Sequence, residues 1–151
     1  MTVPAGRADL TTREDIDALL RDFYGRALTD ELLAEPFTEL REAGLESHLP
    51  VMCDFWETVL FGTKSYRRSA LAVHLRLHEH YPLTAAHFQR WLALWIETVE
   101  QRHSGPFAAR AVLQAGRMAR AMNRRITGDR SWGSGEPVLT PVRTRDRPAS
   151  D

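Results

Sequence analysis

The fold is decided by a stretch near the N-terminus, TTREDIDALLRDFYGRAL, which spans residues 11–28. Its apolar side chains recur at steps of three and four residues, which places them on one face of an α-helix of about four turns. Thr11 with Glu14, or Thr12 with Asp15, has the spacing of a capping box, so the helix is predicted to begin here. The apolar face consists of Ile16, Leu19, Leu20, Phe23, Tyr24, Ala27 and Leu28.

The same helical period continues to about residue 127, and no run alternates with a period of two over the length of a strand. Proline and glycine divide the pattern into about six helices. One of these is predicted to begin at Pro50, because a missing N–H is tolerated in the first turn of a helix. The sequence therefore predicts an all-α fold.

The length of 151 residues favours a single domain with a sizeable core. Residues 1–10 have little apolar content and are predicted to be a flexible N-terminal arm. Residues 128–151 contain three glycines, three prolines and no amphipathic period, so they are predicted to be a disordered C-terminal tail. The helical domain is expected to span residues 11–127.

Composition excludes several classes of protein. Twenty basic and twenty acidic residues give a net charge of zero, which argues against a nucleic-acid or membrane partner. A single cysteine, Cys53, rules out a disulfide scaffold and a four-cysteine zinc site within one chain. No secretory signal and no apolar stretch of membrane-spanning length is visible, so the cytoplasm is the default compartment.

His74 is the histidine on which the functional interpretation depends. Leu71 and Leu77 lie three residues to either side of it and Leu75 is adjacent, so it projects from a largely apolar helix. One interpretation is a core histidine that hydrogen-bonds to a backbone carbonyl. The other is an axial ligand to haem iron through a neutral Nε2, with Nδ1–H held by a carbonyl one turn earlier.

Two rival classes remain open from the residues alone. His74, His78, His80 and His87 form a run that could hold zinc or non-haem iron, since histidines four residues apart converge on a helix. Alternatively, the aromatic residues only pack in the hydrophobic core, and the chain is a helical protein-interaction module without a cofactor. Metal analysis and the visible absorption spectrum distinguish these two classes from a haem protein.

Several short motifs, in order along the chain, resemble the truncated haemoglobins of group III. The resemblance covers residues 11 to 126. It rests on Phe23-Tyr24, on Phe37 after Pro36, on His48 followed by Phe55-Trp56, on Tyr66 and Leu71 ahead of His74-Leu75, on Trp91, and on Arg117-Met118-Ala119.

The resemblance implies a truncated-globin helical sandwich around haem b, bound without a covalent link. It implies His74 as the ligand to the iron, with Tyr24, Trp91 and His48 as distal groups that stabilise a bound diatomic ligand. The haem pocket that it implies comprises Phe23, Phe37, Met52, Phe55, Trp56, Tyr66, Arg67, Arg68 and Leu71.

The expected function is the binding of O2, NO or CO, and NO/O2 redox chemistry or peroxidase-like activity is left open. The sequence contains no flavin or nicotinamide fingerprint, so any turnover would need an external reductant. A monomer or a homodimer is expected.

Overall fold

The computed structural model describes residues 7–129 and Trp132, and these residues contain six α-helices and no strand. The predicted tail lies outside the described residues apart from Gly128, Asp129 and Trp132. Among the described residues, no helix combines the length and the hydropathy needed to cross a bilayer. The helices are α1 (Arg13–Ala27), α2 (Thr38–Ala43), α3 (Leu45–Phe61), α4 (Ala70–His80), α5 (Ala85–Arg102) and α6 (Pro106–Thr127).

Side-chain caps set the beginnings of three of these helices. Of the two capping boxes that fit the sequence of α1, the structure forms the one between Thr12 and Asp15. The hydroxyl of Ser69 accepts a hydrogen bond from an N–H in the first turn of α4, and Thr84 forms a capping box with His87 at α5. Each cap satisfies N–H groups that have no partner within the helix, so local sequence fixes where these helices begin.

The predicted beginning of α3 at Pro50 is wrong. The helix begins five residues earlier, at Leu45, directly after Gly44, whose φ of 97° lies in the region that favours glycine. Pro50 is therefore inside the helix, where its ring nitrogen cannot donate to the carbonyl of Glu46. The consequence for function is that His48 belongs to the first turn of α3.

The core lies between two stacked helix pairs. α1 packs on α3, α5 packs on α6, and the pairs meet where α1 contacts α5 and α3 contacts α6. Apolar residues on the inner faces are almost completely buried, and Trp56 and Trp95 stack with their ring centroids 4.6 Å apart at the centre. The predicted all-α fold is confirmed.

Residues 7–10 pack on the domain, which differs from the loose arm predicted for residues 1–10. The side chain of Leu10 is completely buried, and Ala8 forms an isolated bridge with His103. The carboxylate of Asp9 accepts hydrogen bonds from two backbone N–H groups in the first turn of α6. Because these contacts join residues more than 90 positions apart, no local sequence pattern predicts them.

Candidate haem site

His74 lies on α4, and one of its two ring nitrogens is already used in a hydrogen bond. Nδ1 of His74 lies 2.7 Å from the carbonyl oxygen of Ala70, one turn earlier, so Nδ1–H donates to that oxygen. Nε2 then carries the lone pair and makes no hydrogen bond in the described part of the chain. Burial lowers the pKa of His74, although the hydrogen bond that Nδ1–H donates to the Ala70 carbonyl opposes this change. The ring is therefore neutral at pH 7, which is the form that binds a metal.

α4 stands apart from the central helix pairs. Among the described helices it contacts only α6, and none of its residues is fully buried. Val73 is 38% exposed and Leu75 is 42% exposed, although both are apolar. Because burying one apolar side chain contributes about 1.5–3 kcal/mol, the helix gains little from packing against protein alone.

Tyr24 and His48 form a polar pair inside an apolar region. The Tyr24 side chain is 4% exposed, and its hydroxyl lies 3.0 Å from Nε2 of His48. Burial raises the pKa of Tyr24, so the phenol stays protonated and can donate a hydrogen bond. Burial lowers the pKa of His48, and repulsion from the Arg68 guanidinium and from the protonated form of His74 acts in the same direction.

Trp91 extends this region from α5. Its ring packs edge-on against Phe23 at a centroid distance of 5.8 Å and lies parallel to Trp95 at 6.0 Å. The indole N–H of Trp95 donates to the carbonyl of Ala111, so Trp95 is a satisfied core residue. The indole N–H of Trp91 has no hydrogen-bond partner among the described residues, and the side chain is half-buried. A polar N–H thus remains available on a ring that contacts Phe23, and Phe23 in turn contacts Tyr24.

The loop between α3 and α4 is held by residues that the sequence did not single out. The hydroxyl of Thr58 donates to the carbonyl of Asp54 and accepts from the backbone N–H of Tyr66. The Tyr66 ring then packs on Phe55 at a centroid distance of 5.0 Å. A threonine within an amphipathic helix has no sequence signature for such a role, because its partner is eight residues away in a loop.

The other predicted pocket residues differ in their surroundings. Phe37 precedes α2 and contacts Tyr24 at a centroid distance of 5.9 Å. Met52 is half-buried against the core, and Leu71 lies half-buried in the first turn of α4. Trp56 is fully buried beneath Phe55, whereas Arg67 and Arg68 are exposed on the loop ahead of α4.

The chemistry of these groups fits a haem. An iron porphyrin needs one neutral imidazole nitrogen on the proximal side and an apolar, water-excluding surround. Nε2 of His74 supplies the first, and the aromatic side chains around Tyr24 supply the second. The exposed guanidinium groups of Arg67 and Arg68 are suited to carboxylates such as the haem propionates.

The histidine run does not form a metal site in the described residues, where no three metal-binding side chains converge. Nδ1 of His78 accepts from the backbone of Leu83, and Nδ1 of His87 accepts from the backbone of Thr84. Nδ1 of His80 bonds to a carbonyl of its own helix. Three of the four histidines of the zinc alternative are thus engaged in hydrogen bonds near the ends of α4 and α5.

Comparison with known proteins identifies a structure with the same fold. The chain is similar to the crystal structure of the group III truncated haemoglobin from Campylobacter jejuni, with a TM-score of 0.71 and 21% sequence identity over 80% of this chain and 94% of that chain. No family model and no curated protein matches the sequence. At this identity the similarity concerns the backbone. The six helices that carry His74, Tyr24, His48 and Trp91 have the fold of a truncated haemoglobin.

Proposed function

We propose that the protein is a group III truncated haemoglobin that binds haem b and, on it, a diatomic ligand such as O2, NO or CO. The observation that carries the proposal is the state of the half-buried His74 ring, whose Nδ1 is occupied by a carbonyl and whose Nε2 makes no hydrogen bond within the described residues. A neutral imidazole with one nitrogen held by a carbonyl and the other unbonded is the form in which histidine binds a metal. The similarity to a truncated haemoglobin of the same backbone fold supports the same function.

When bound, haem would supply an iron centre that binds a small gas molecule. His74 would hold the iron through Nε2. The Ala70 carbonyl fixes the orientation of the ring and, by accepting the Nδ1 proton, makes Nε2 a better donor of electrons. The Arg67 and Arg68 side chains would bind the propionates, and the aromatic residues would exclude water from the porphyrin faces.

Tyr24 would be the principal hydrogen-bond donor to the bound ligand. Its hydroxyl proton can be directed either to Nε2 of His48 or to a ligand, because a phenol O–H rotates about its C–O bond. His48 keeps the phenol oriented while no ligand is present. Trp91 would add a second donor, since its N–H has no protein partner in the described chain.

Any redox turnover would draw electrons from an external reductant in the cytoplasm. Tight binding of a gas suits its chemical conversion or sensing better than its delivery. Reaction between O2 and NO, and peroxidase-like chemistry, are the reactions that the site would serve.

The test is the absorption spectrum of the purified protein in the ferric, ferrous and CO-bound states, for the wild type, His74→Ala and His80→Ala. His80 is a matched control, since its Nδ1 also bonds to a carbonyl one turn earlier, yet the residue is exposed. We expect a Soret band in the wild type and in His80→Ala, and its loss or a marked shift in His74→Ala. A wild-type protein that folds without haem, or an unchanged spectrum in His74→Ala, would refute the proposal.

A further inference from the structure

α6 carries a charge that is not balanced within the helix. Its 22 residues include five arginines and no acidic residue, although the whole chain has a net charge of zero. Elsewhere in the described chain, arginines commonly pair with carboxylates, as Arg13, Arg21 and Arg90 do. Within the described residues, the exposed arginines of α6 make no ion pair; they are Arg110, Arg117, Arg124 and Arg125.

Three of these arginines form a row along one side of α6. Arg110, Arg117 and Arg124 are seven residues apart, so they lie within about 40° of one another around the helix and at intervals of about 10 Å along it. Leu113 stands between the first two and is 39% exposed. We call Arg110, Leu113, Arg117 and Arg124 the arginine row.

We propose that the arginine row is the docking surface for an acidic electron-donor protein, such as a small flavoprotein or iron–sulfur protein. This inference rests on the proposed function, because a haem that cycles between ferric and ferrous states needs one electron from outside the chain. Unpaired guanidinium groups attract carboxylates and raise the rate of encounter with a protein of opposite charge. α6 is also the helix on which α4 packs, so a protein docked there would lie one helix away from His74.

The spacing favours a protein over a nucleic acid or a lipid surface. DNA carries a phosphate every 3.4 Å along each strand, whereas the arginines of the row follow one another at about 10 Å. An exposed leucine between two arginines suits a protein surface, because arginine is enriched in protein interfaces and the leucine can be buried there.

The test measures binding of a flavodoxin, an acidic flavoprotein, to the full chain by fluorescence anisotropy at 10 mM and 500 mM salt. At low salt we expect Arg117→Glu to weaken binding about threefold, and the triple change of Arg110, Arg117 and Arg124 to glutamate to weaken it about tenfold or more. At high salt the difference in flavodoxin affinity between these variants and the wild type should largely vanish, because the Debye length falls below about 5 Å. Arg21→Glu is the matched control, since it makes the same charge change on α1, which does not contact α6.

Three results would overturn the docking surface: no flavodoxin binding at low salt, equal weakening by Arg117→Glu and Arg21→Glu, or tighter binding of a 20-base-pair DNA or phosphatidylserine vesicles through the same arginines. Should the triple variant fail to fold, Arg117→Gln should still weaken flavodoxin binding, by less than Arg117→Glu. The binding assay is independent of the Soret band, so failure of the docking surface and failure of haem binding are distinguished.

Discussion

The hydrogen bond between Tyr24 and His48 gives the strongest prediction, which concerns Tyr24→Phe. In the absence of a ligand the hydroxyl lies 3.0 Å from Nε2 of His48. With the His48 proton on Nδ1, Nε2 accepts from the Tyr24 hydroxyl, and the hydroxyl must turn away from His48 to donate to a bound O2. The net gain is therefore the difference between a hydrogen bond to a partly charged acceptor and a hydrogen bond between neutral groups.

The magnitude follows from that exchange. A hydrogen bond to a charged group contributes about 1.5–3 kcal/mol and a neutral one about 0.5–1.5 kcal/mol, so the net stabilisation of bound O2 is about 1–2 kcal/mol. At about 1.4 kcal/mol per factor of ten, loss of the hydroxyl should speed O2 dissociation by about tenfold. The phenylalanine ring preserves the edge-on contacts of Tyr24 with Phe23 and Phe37.

Stopped-flow measurement of O2 dissociation from the ferrous protein tests this prediction. Tyr66→Phe is the matched control, because the Tyr66 ring packs on Phe55 but its hydroxyl makes no hydrogen bond in the described chain. Tyr66→Phe should leave the rate nearly unchanged. An O2 dissociation rate in Tyr24→Phe equal to that of the wild type would mean that the phenol does not contact the ligand.

Three further predictions concern residues of α5 and their contacts. Trp91→Phe should speed O2 dissociation by about tenfold in the same stopped-flow assay, because it removes an indole N–H that has no partner among the described residues and keeps an aromatic ring. Trp95→Phe should leave ligand kinetics nearly unchanged but lower the free energy of unfolding in urea by about 1–3 kcal/mol, because it removes the hydrogen bond to the Ala111 carbonyl and part of the stacking area against Trp56. Hydrogen bonding from Arg90 lowers the pKa of Asp30 in the folded state, although burial opposes this change. The ionised carboxylate therefore stabilises the fold above pH 4, and this stabilisation is lost as the pH falls below 4. Asp30→Asn should therefore show a smaller loss of unfolding free energy between pH 5 and pH 3 than the wild type, and an equal loss would contradict the assignment.

Much of the secondary structure was predictable because its causes are local. The apolar period of α1, the Thr12–Asp15 capping box and the Ser69 cap involve residues at most four positions apart. Even the hydrogen bond from His74 to the Ala70 carbonyl follows from helix geometry, since the two residues are one turn apart. The beginning of α3 was not predictable, because both Gly44 and Pro50 are residues that commonly mark a helix start. The helix begins after Gly44 and accommodates Pro50 in its second turn.

The helices, their caps and the chemical character of the inward-facing positions follow from local sequence. Which of those positions meet depends on long-range packing, as with Tyr24 and His48, 24 residues apart, and with Leu10 in the core. The two kinds of structure depend on interactions of different range. A helix forms from hydrogen bonds and side-chain contacts within one or two turns, whereas the site forms only when the two stacked helix pairs bury their apolar faces together and bring α1, α3 and α5 around one region.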